Sequence, residues 1–161
     1  MFRIDRKFKH YWKDYVFQSI FATISIFIVL LFFNIHKQPI IIASIASSVF
    51  IAFALPKNIT AQPRRLIGGH LVGLLCGSLG ALVPHSSLLL SLFTYSLAVG
   101  ASIFLMVVTE TEHPPASGTA LGVAVSGFSF YIAVAVIASV VTLSLLHHFF
   151  NPYIRDLRES Q

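Results

Sequence analysis

Two glutamates and a histidine crowd into Glu110-Thr111-Glu112-His113, and two prolines, Pro114 and Pro115, follow at once. Carboxylates beside an imidazole can exchange protons or hold a metal. On a helix, however, Glu110, Glu112 and His113 point in different directions, and Pro114 bars a regular metal-binding helix, so only a folded loop converges them. An enzyme is therefore the least favoured reading, and no cofactor or metal is called for. A second chemistry follows from the prolines. Each fixes φ and lacks a backbone N–H, so an incoming helix stops before Pro114 while Pro115 suits the first turn of a new one. If a helix begins there, the amides of Ser117, Gly118 and Thr119 are donors at its positive end, a cradle for an anion. A Pro-Pro pair is equally a plain turn between two spans with solvated glutamates, the commoner outcome for so short a motif.

Other candidates lie upstream. Arg64 and Arg65 close a polar loop, and His70 follows about one turn inside an apolar run. An ionisable residue at such a depth is costly, which favours a polar pathway; near a helix end it can also pair with a carbonyl or escape to the interface. Gly69, Gly73 and Gly77 recur every four residues, a stripe without Cβ atoms that another backbone can approach closely. Cys76, the only cysteine, sits in the same run, which excludes a cysteine-based metal site and leaves it a small packing residue.

The elements that must position these residues are apolar helices. The chain has 161 residues, 56% of them hydrophobic and only 11% charged, far below the quarter usual in soluble domains, which identifies a membrane protein. The expected fold is all-α: a polytopic transmembrane bundle of about five apolar helices with a proline-broken loop at His113-Pro114-Pro115. Residues 1–15 form a basic cytoplasmic segment carrying Arg3, Arg6, Lys7, Lys9 and Lys13, with Tyr11, Trp12 and Tyr15 as interfacial rings. Residues 16–150 form a single transmembrane domain, and 151–161 a polar tail. Within the domain, apolar runs cover 16–33, 39–55, 66–83 and 88–109. The first is a retained span and not a removed leader. The run 120–150 is too long for one untilted crossing, and Gly122, Ser126 and Gly127 predict a break near 126–129. In 43–48 the small residues Ala43, Ser44, Ala46, Ser47 and Ser48 read as close-packing positions, in preference to a polar path.

Five crossings set eight Lys and Arg residues on the side of the N-terminus against Lys37, Arg155 and Arg158 on the other, which places the N-terminus in the cytoplasm. If the segment after Pro115 is re-entrant, the tail is cytoplasmic too. In either orientation two spans separate the loops at 56–65 and 110–119, so Arg64 and Arg65 share a face with Glu110, Glu112 and His113. There they form a structural clamp or balance an anion path. The net charge of +5 comes from residues flanking apolar spans, which speaks for topology over nucleic acid.

His113-Pro114-Pro115 also carries a resemblance, together with Ala54-Leu55-Pro56, Ala61-Gln62-Pro63-Arg64, Gly68-Gly69-His70 and Thr119-Ala120-Leu121 in the same order. From about Ala43 onward the chain resembles the HPP family of small integral membrane proteins. The resemblance implies a bundle of about four transmembrane helices and, through plastid and cyanobacterial relatives, transport of nitrite. Ser117 stands where the family commonly has glycine, Arg65 where it commonly has asparagine, and glycines common in the second span are replaced within 43–48.

The leading expectation is a homo-oligomeric, multi-pass transporter or channel of the bacterial inner membrane for a small monovalent anion, with nitrite the first candidate. Its partners are the lipid bilayer, copies of itself and the anion. Arg64 and Arg65 attract the ion, His70 and His113 donate hydrogen bonds, the amides of Ser117, Gly118 and Thr119 coordinate it, and Glu110 and Glu112 gate or form ion pairs. The glycine stripe supplies a helix-packing surface, read as the contact between copies. The rival expectation is a membrane interaction or assembly protein whose Arg, Glu and His cluster is structural.

Overall fold

The computed structural model describes residues 8–33 and 38–157. Arg3, Arg6, Lys7, Lys37 and Arg158, which enter the charge argument, lie outside the described residues. Six helices run in order: α1 (Phe8–Phe33), α2 (Pro39–Ala54), α3 (Pro63–Ala81), α4 (Leu88–Val108), α5 (Pro115–Ser126) and α6 (Phe130–Phe150). Short 3₁₀ turns at Ile59–Ala61 and Asn151–Tyr153 follow α2 and α6, and the described residues include no strand.

Prolines open three of these helices. Pro39, Pro63 and Pro115 each stand in the first turn, where the missing N–H removes no helical bond and the fixed φ is already helical. Ser87 opens α4 differently, its hydroxyl accepting from the Leu90 amide at 3.2 Å. Helix α1 begins at Phe8, earlier than the apolar run at Val16, so part of the basic segment is helical, with a kink at Tyr11 (φ −117°, ψ 23°).

α1, α4 and α6 with its following turn are long and apolar enough to cross a membrane; α2 is apolar but has 16 residues. Their outward faces are large and hydrophobic, including Phe27, Leu31, Phe93, Phe104 and Leu145, as a hydrocarbon solvent requires. This is a helical membrane bundle. Its apolar core joins Val29 of α1, Ile41, Ile45 and Phe53 of α2, Leu66 of α3 and Val136, Val140 and Leu143 of α6.

The break after Pro115 decides the topology. Gly127 adopts φ +83°, a left-handed conformation that side chains with a Cβ rarely take, and it splits the run 120–150 into α5 and α6. At one end of the bundle, Ser126 Oγ donates to Gln38 Oε1 at 2.6 Å and the Tyr131 hydroxyl to the Phe33 carbonyl at 3.0 Å. At the opposite end, Arg155 pairs with Asp14 at 3.0 Å, the Tyr15 hydroxyl donates to the Leu157 carbonyl at 2.6 Å, and Leu157 N–H to the Ala54 carbonyl at 2.9 Å. The helices therefore alternate in direction, with the 12-residue α5 too short to cross a hydrocarbon core by itself, and the tail returns to the end where α1 begins. Of the two topologies left open by the sequence, this arrangement matches the one in which the segment after Pro115 turns back and the tail rejoins the end where the chain begins its first helix. Lys9, Lys13, Lys57, Arg64, Arg65 and Arg155 all lie at this basic end.

The glycine stripe packs inside the protomer. α3 and α5 run side by side, and an added Cβ at Gly77 would meet the Ala120 carbonyl oxygen at 2.6 Å and Val123 Cβ at 2.8 Å. At Gly69 it would meet His113 Cβ at 2.7 Å, and at Gly73 it would strike the Ala116 carbonyl. The stripe lets the short helix and its leading loop sink against α3. It is not a surface left for a second copy, which removes the reason for inferring a homo-oligomer from it.

Candidate functional site

The loop between α4 and α5 turns through Glu110, whose φ of +53° redirects the chain after the last turn of α4. Thr111 N–H donates to the Met106 carbonyl at 2.9 Å, closing that turn. The chain then descends along α3, so that His113 is fully buried although it stands in a loop.

Around His113 a line of polar groups runs between α2, α3 and α5. Its Nδ1–H donates to the Thr60 carbonyl at 2.8 Å, and its Nε2 lies 2.8 Å from Ser48 Oγ. Ser48 Oγ is in turn 2.9 Å from His70 Nε2. His70 Nδ1 lies 2.8 Å from Thr119 Oγ1, which is 2.8 Å from Ser44 Oγ. The Ser44 hydroxyl donates to the Pro115 carbonyl at 2.6 Å. His70, His113, Ser48 and Thr119 are each fully buried, and the two rings are 5.2 Å apart. Burial holds the His113 imidazole well below the ordinary histidine range, at about 4, against a raising contribution from its bond to Thr60.

The charged residues form a separate layer at the basic end. Arg65 makes a half-buried ion pair and hydrogen bond with Glu112. Arg64 is exposed, 3.9 Å from Glu110 and 3.4 Å from the Thr109 carbonyl. The two arginines do share a face with the glutamates, as the loop arithmetic requires, but as partners and not as free cations.

The expected amide cradle is closed. A helix leaves the N–H groups of its cap and first three residues without intrahelical partners. Here two of those four positions are Pro114 and Pro115, which have none, and the others turn back: Ala116 N–H donates to the His113 carbonyl at 2.8 Å and Ser117 N–H to the Pro114 carbonyl at 3.2 Å. Ser117 Oγ also bonds that carbonyl, at 2.8 Å. Gly118 and Thr119 lie beyond the unpaired positions. Gly118 contributes close packing instead, since an added Cβ would stand 3.3 Å from Ser44 Cβ, and Thr119 contributes its hydroxyl.

Among known families, the HPP transmembrane region matches residues 7–159, nearly the whole sequence. The chain belongs to the HPP family. Similar curated proteins are two from Dictyostelium discoideum described only as transmembrane proteins. One is 38% identical over 89 residues, covering 53% of this chain and 30% of the relative. The other is 32% identical over 129 residues, covering 76% and 41%. The HPP chain thus spans less than half the length of these relatives. No solved structure matches it.

In this HPP protein the motif divides its labour. His113 points into the polar line, while Pro114 and Pro115 border a shallow recess of about 390 Å³ with Ser47, Phe50 and Ile51. Ser44, Ser48 and Thr60 are the members that sequence reasoning missed. Ser44 and Ser48 read as packing positions in the sequence, yet their spacing of four places both on one face of α2, whereas Ser47 lies off it, exposed and bonded to its own helix at the Ala43 carbonyl. Thr60 takes part through its backbone, which side-chain chemistry does not reveal. Among the described residues, no group of three or more His, Cys, Asp or Glu side chains converges as a metal site.

Proposed function

We propose that this HPP protein moves a small monovalent anion across a membrane, with nitrite the first candidate. The observation that carries the reading is the buried line His113–Ser48–His70–Thr119–Ser44. Two imidazoles and three hydroxyls are expensive to bury in a bundle with a hydrocarbon exterior, and a purely structural helix contact is served by apolar and small side chains. Neutral N–H and O–H groups also suit the task. They can exchange bonds with one another for bonds to an anion without leaving a bare charge in the interior, which favours binding weak enough to release.

The arginine layer supports arrival at the basic end. Arg64 keeps an exposed guanidinium above the loop, and Arg65 with Glu112 forms a neutral lintel over His113. Among the described residues, Lys9, Lys13, Lys57, Arg64, Arg65 and Arg155 all lie at this end, which in this reading is the cytoplasmic face of a bacterial inner membrane. Uptake of nitrite into proteoliposomes, corrected for protein-free vesicles, tests the proposal. Wild-type protein accelerates uptake, and His113→Ala and His70→Ala each abolish most of it; equal uptake in wild type and both variants defeats the mechanism.

A second reading is favoured by the two Arg–Glu pairs, which tie the loop before α5 to the start of α3. In an assembly protein without substrate, that clamp is the purpose of the cluster. Arg65→Ala then lowers the melting temperature in detergent, Glu112→Ala in the same chain restores much of it, and no variant changes any flux.

A further inference from the structure

The hydrogens in the buried line do not suffice for its contacts. The line joins two backbone carbonyls, of Thr60 and Pro115, through His113, Ser48, His70, Thr119 and Ser44. A carbonyl only accepts, so the His113 proton is fixed on Nδ1 toward Thr60 and the Ser44 proton points to Pro115. Ser48, neutral His70 and Thr119 then hold three protons for the four links between His113 Nε2 and Ser44 Oγ. All four links span 2.8 to 2.9 Å. With both rings neutral, one link therefore sets lone pair against lone pair. The Ser44 carbonyl, 3.1 Å from Ser48 Oγ, is a further acceptor and deepens the deficit.

One added proton removes it. If His70 carries both ring protons, Nε2–H donates to Ser48 and Nδ1–H to Thr119, while Ser48 donates to His113 and Thr119 to Ser44. If His113 carries the extra proton instead, its Nε2–H donates to Ser48, Ser48 to His70 Nε2, His70 Nδ1–H to Thr119 and Thr119 to Ser44. Every link is filled in both arrangements. They interconvert when the Ser48 hydroxyl takes a proton from one ring and gives its own to the other, so Ser48 is a proton bridge between the two imidazoles.

Little else nearby bears charge. Beside His113 on its own loop, Glu112 is paired with Arg65, and Glu110 stands near Arg64. From α2, α4 and α5 the neighbours are Ser44, Ser48, Met106 and Thr119, all neutral. The ionisable groups of α6 are Tyr131 and the His147–His148 pair at its two ends; Tyr131 donates to Phe33 and His147 Nε2–H to Pro56. Tyr95 of α4 packs against His85 beyond the far end. A lone imidazolium here has no counter-ion, and burying it so is costly. An anion seated against the line supplies one. The linkage is reciprocal: the anion raises the affinity for the proton, and the proton raises the affinity for the anion by the same factor.

We infer that the His113–Ser48–His70–Thr119–Ser44 line is a binding site for one exchangeable proton, filled together with the transported anion, so that the two cross as a neutral pair. The inference rests on the anion-transport reading for its second half, and on the proton deficit alone for its first. The step is a simple transfer: an imidazole nitrogen lone pair takes the proton, the other ring nitrogen keeps its own, and both proton and anion leave on the far side.

Two measurements test it on the full-length protein. In proteoliposomes holding a pH-sensitive dye, with passive flux in protein-free vesicles subtracted, nitrite uptake brings a proton with each ion and does not respond to an imposed membrane potential. His70→Gln loses the accompanying proton. Nitrite movement without protons, driven by the potential, overturns this inference and leaves the transport reading standing. Absence of nitrite movement defeats the transport reading, and the proton site is then decided by ¹⁵N-imidazole spectra in nanodiscs. There, acidification puts a second proton on one of the His70 and His113 rings but not on the remaining one. Nitrite shifts that uptake to higher pH by about one unit, a tenfold coupling of the usual size for linked sites. No second proton on either ring with nitrite present, or uptake at the same pH with and without nitrite, overturns the inference.

Discussion

Replacing Gly77 by alanine puts a methyl group between α3 and α5 at a point where neither backbone has room. The added Cβ would lie 2.6 Å from the Ala120 carbonyl oxygen, 2.8 Å from Val123 Cβ and 3.2 Å from Ala120 Cα. Two of these three neighbours are backbone atoms, so no rotamer change relieves the contact and α5 itself must move outward. Ordinary separation of such atoms demands a shift of roughly 0.7 Å or more. Thr119, one residue from the contact, would then sit near 3.5 Å from His70 and lose that bond, which is 2.8 Å long in the native chain. Overpacking of this kind costs about 1–3 kcal/mol. Alanine also gains about 1 kcal/mol of helix propensity over glycine, which hides part of the loss. Gly100→Ala removes that ambiguity, because Gly100 lies in the interior of α4 with nothing within 4 Å of its added Cβ. The difference between the two variants therefore isolates the packing term, and at about 2–4 °C per kcal/mol it amounts to about 2–12 °C in melting temperature. Fluorescence-detected thermal unfolding in one detergent measures it. If Gly77→Ala and Gly100→Ala shift the midpoint equally, the close approach of α5 to α3 is refuted, and with it the support beneath the polar line.

Ser48→Ala strips both buried imidazoles of a partner and lowers stability by about 1–3 kcal/mol for each group left unpaired, whereas Ser47→Ala, on the exposed face of the same helix, changes the melting curve by less than about 0.5 kcal/mol. Arg65→Ala costs about 1.5–3 kcal/mol, since it removes a half-buried charge-assisted bond to Glu112, and Arg64→Ala less than about 1 kcal/mol because its pair is exposed; chemical denaturation of the two variants side by side checks the order. Stability also responds to pH through His113. Its folded pKa of about 4 lies below the unfolded value of 6.5, so the unfolded chain binds the proton first, and the contribution is fully present above pH 6.5 and falls away as pH drops toward 4. Melting curves across that window decline on the acid side, and His113→Gln flattens the decline.

Much of the fold is written in local signals. Prolines mark helix starts because their geometry acts within one turn, which is why Pro39, Pro63 and Pro115 each stand at an observed first turn. Gly127 ends α5 inside the expected window for the same reason: its φ is a local property. The shared face of Arg64 and Arg65 with the glutamates was legible from counting spans. The closed amide cradle was not, because whether Ala116 and Ser117 turn their N–H groups inward depends on the exact descent of the loop. Nor was the fate of the glycine stripe, since a surface without Cβ atoms invites any backbone and only tertiary structure selects α5 over a second molecule. His70 and His113 drew notice as ionisable residues in apolar company. Ser44 and Ser48 escaped it because small hydroxyl residues are as common in helix contacts as in polar lines, and only the rings opposite distinguish the two.

Arg155 meeting Asp14, and Leu157 meeting Ala54 and Tyr15, bring the tail back beside the first helix. That shared end has a practical corollary for protein engineering. Two copies can be joined in tandem by a hydrophilic linker that never has to be threaded through lipid, and each half of the concatemer keeps its native orientation. Such a fused pair, intact in one half and carrying His113→Ala in the other, reports whether each protomer works independently or whether one defective unit silences its neighbour.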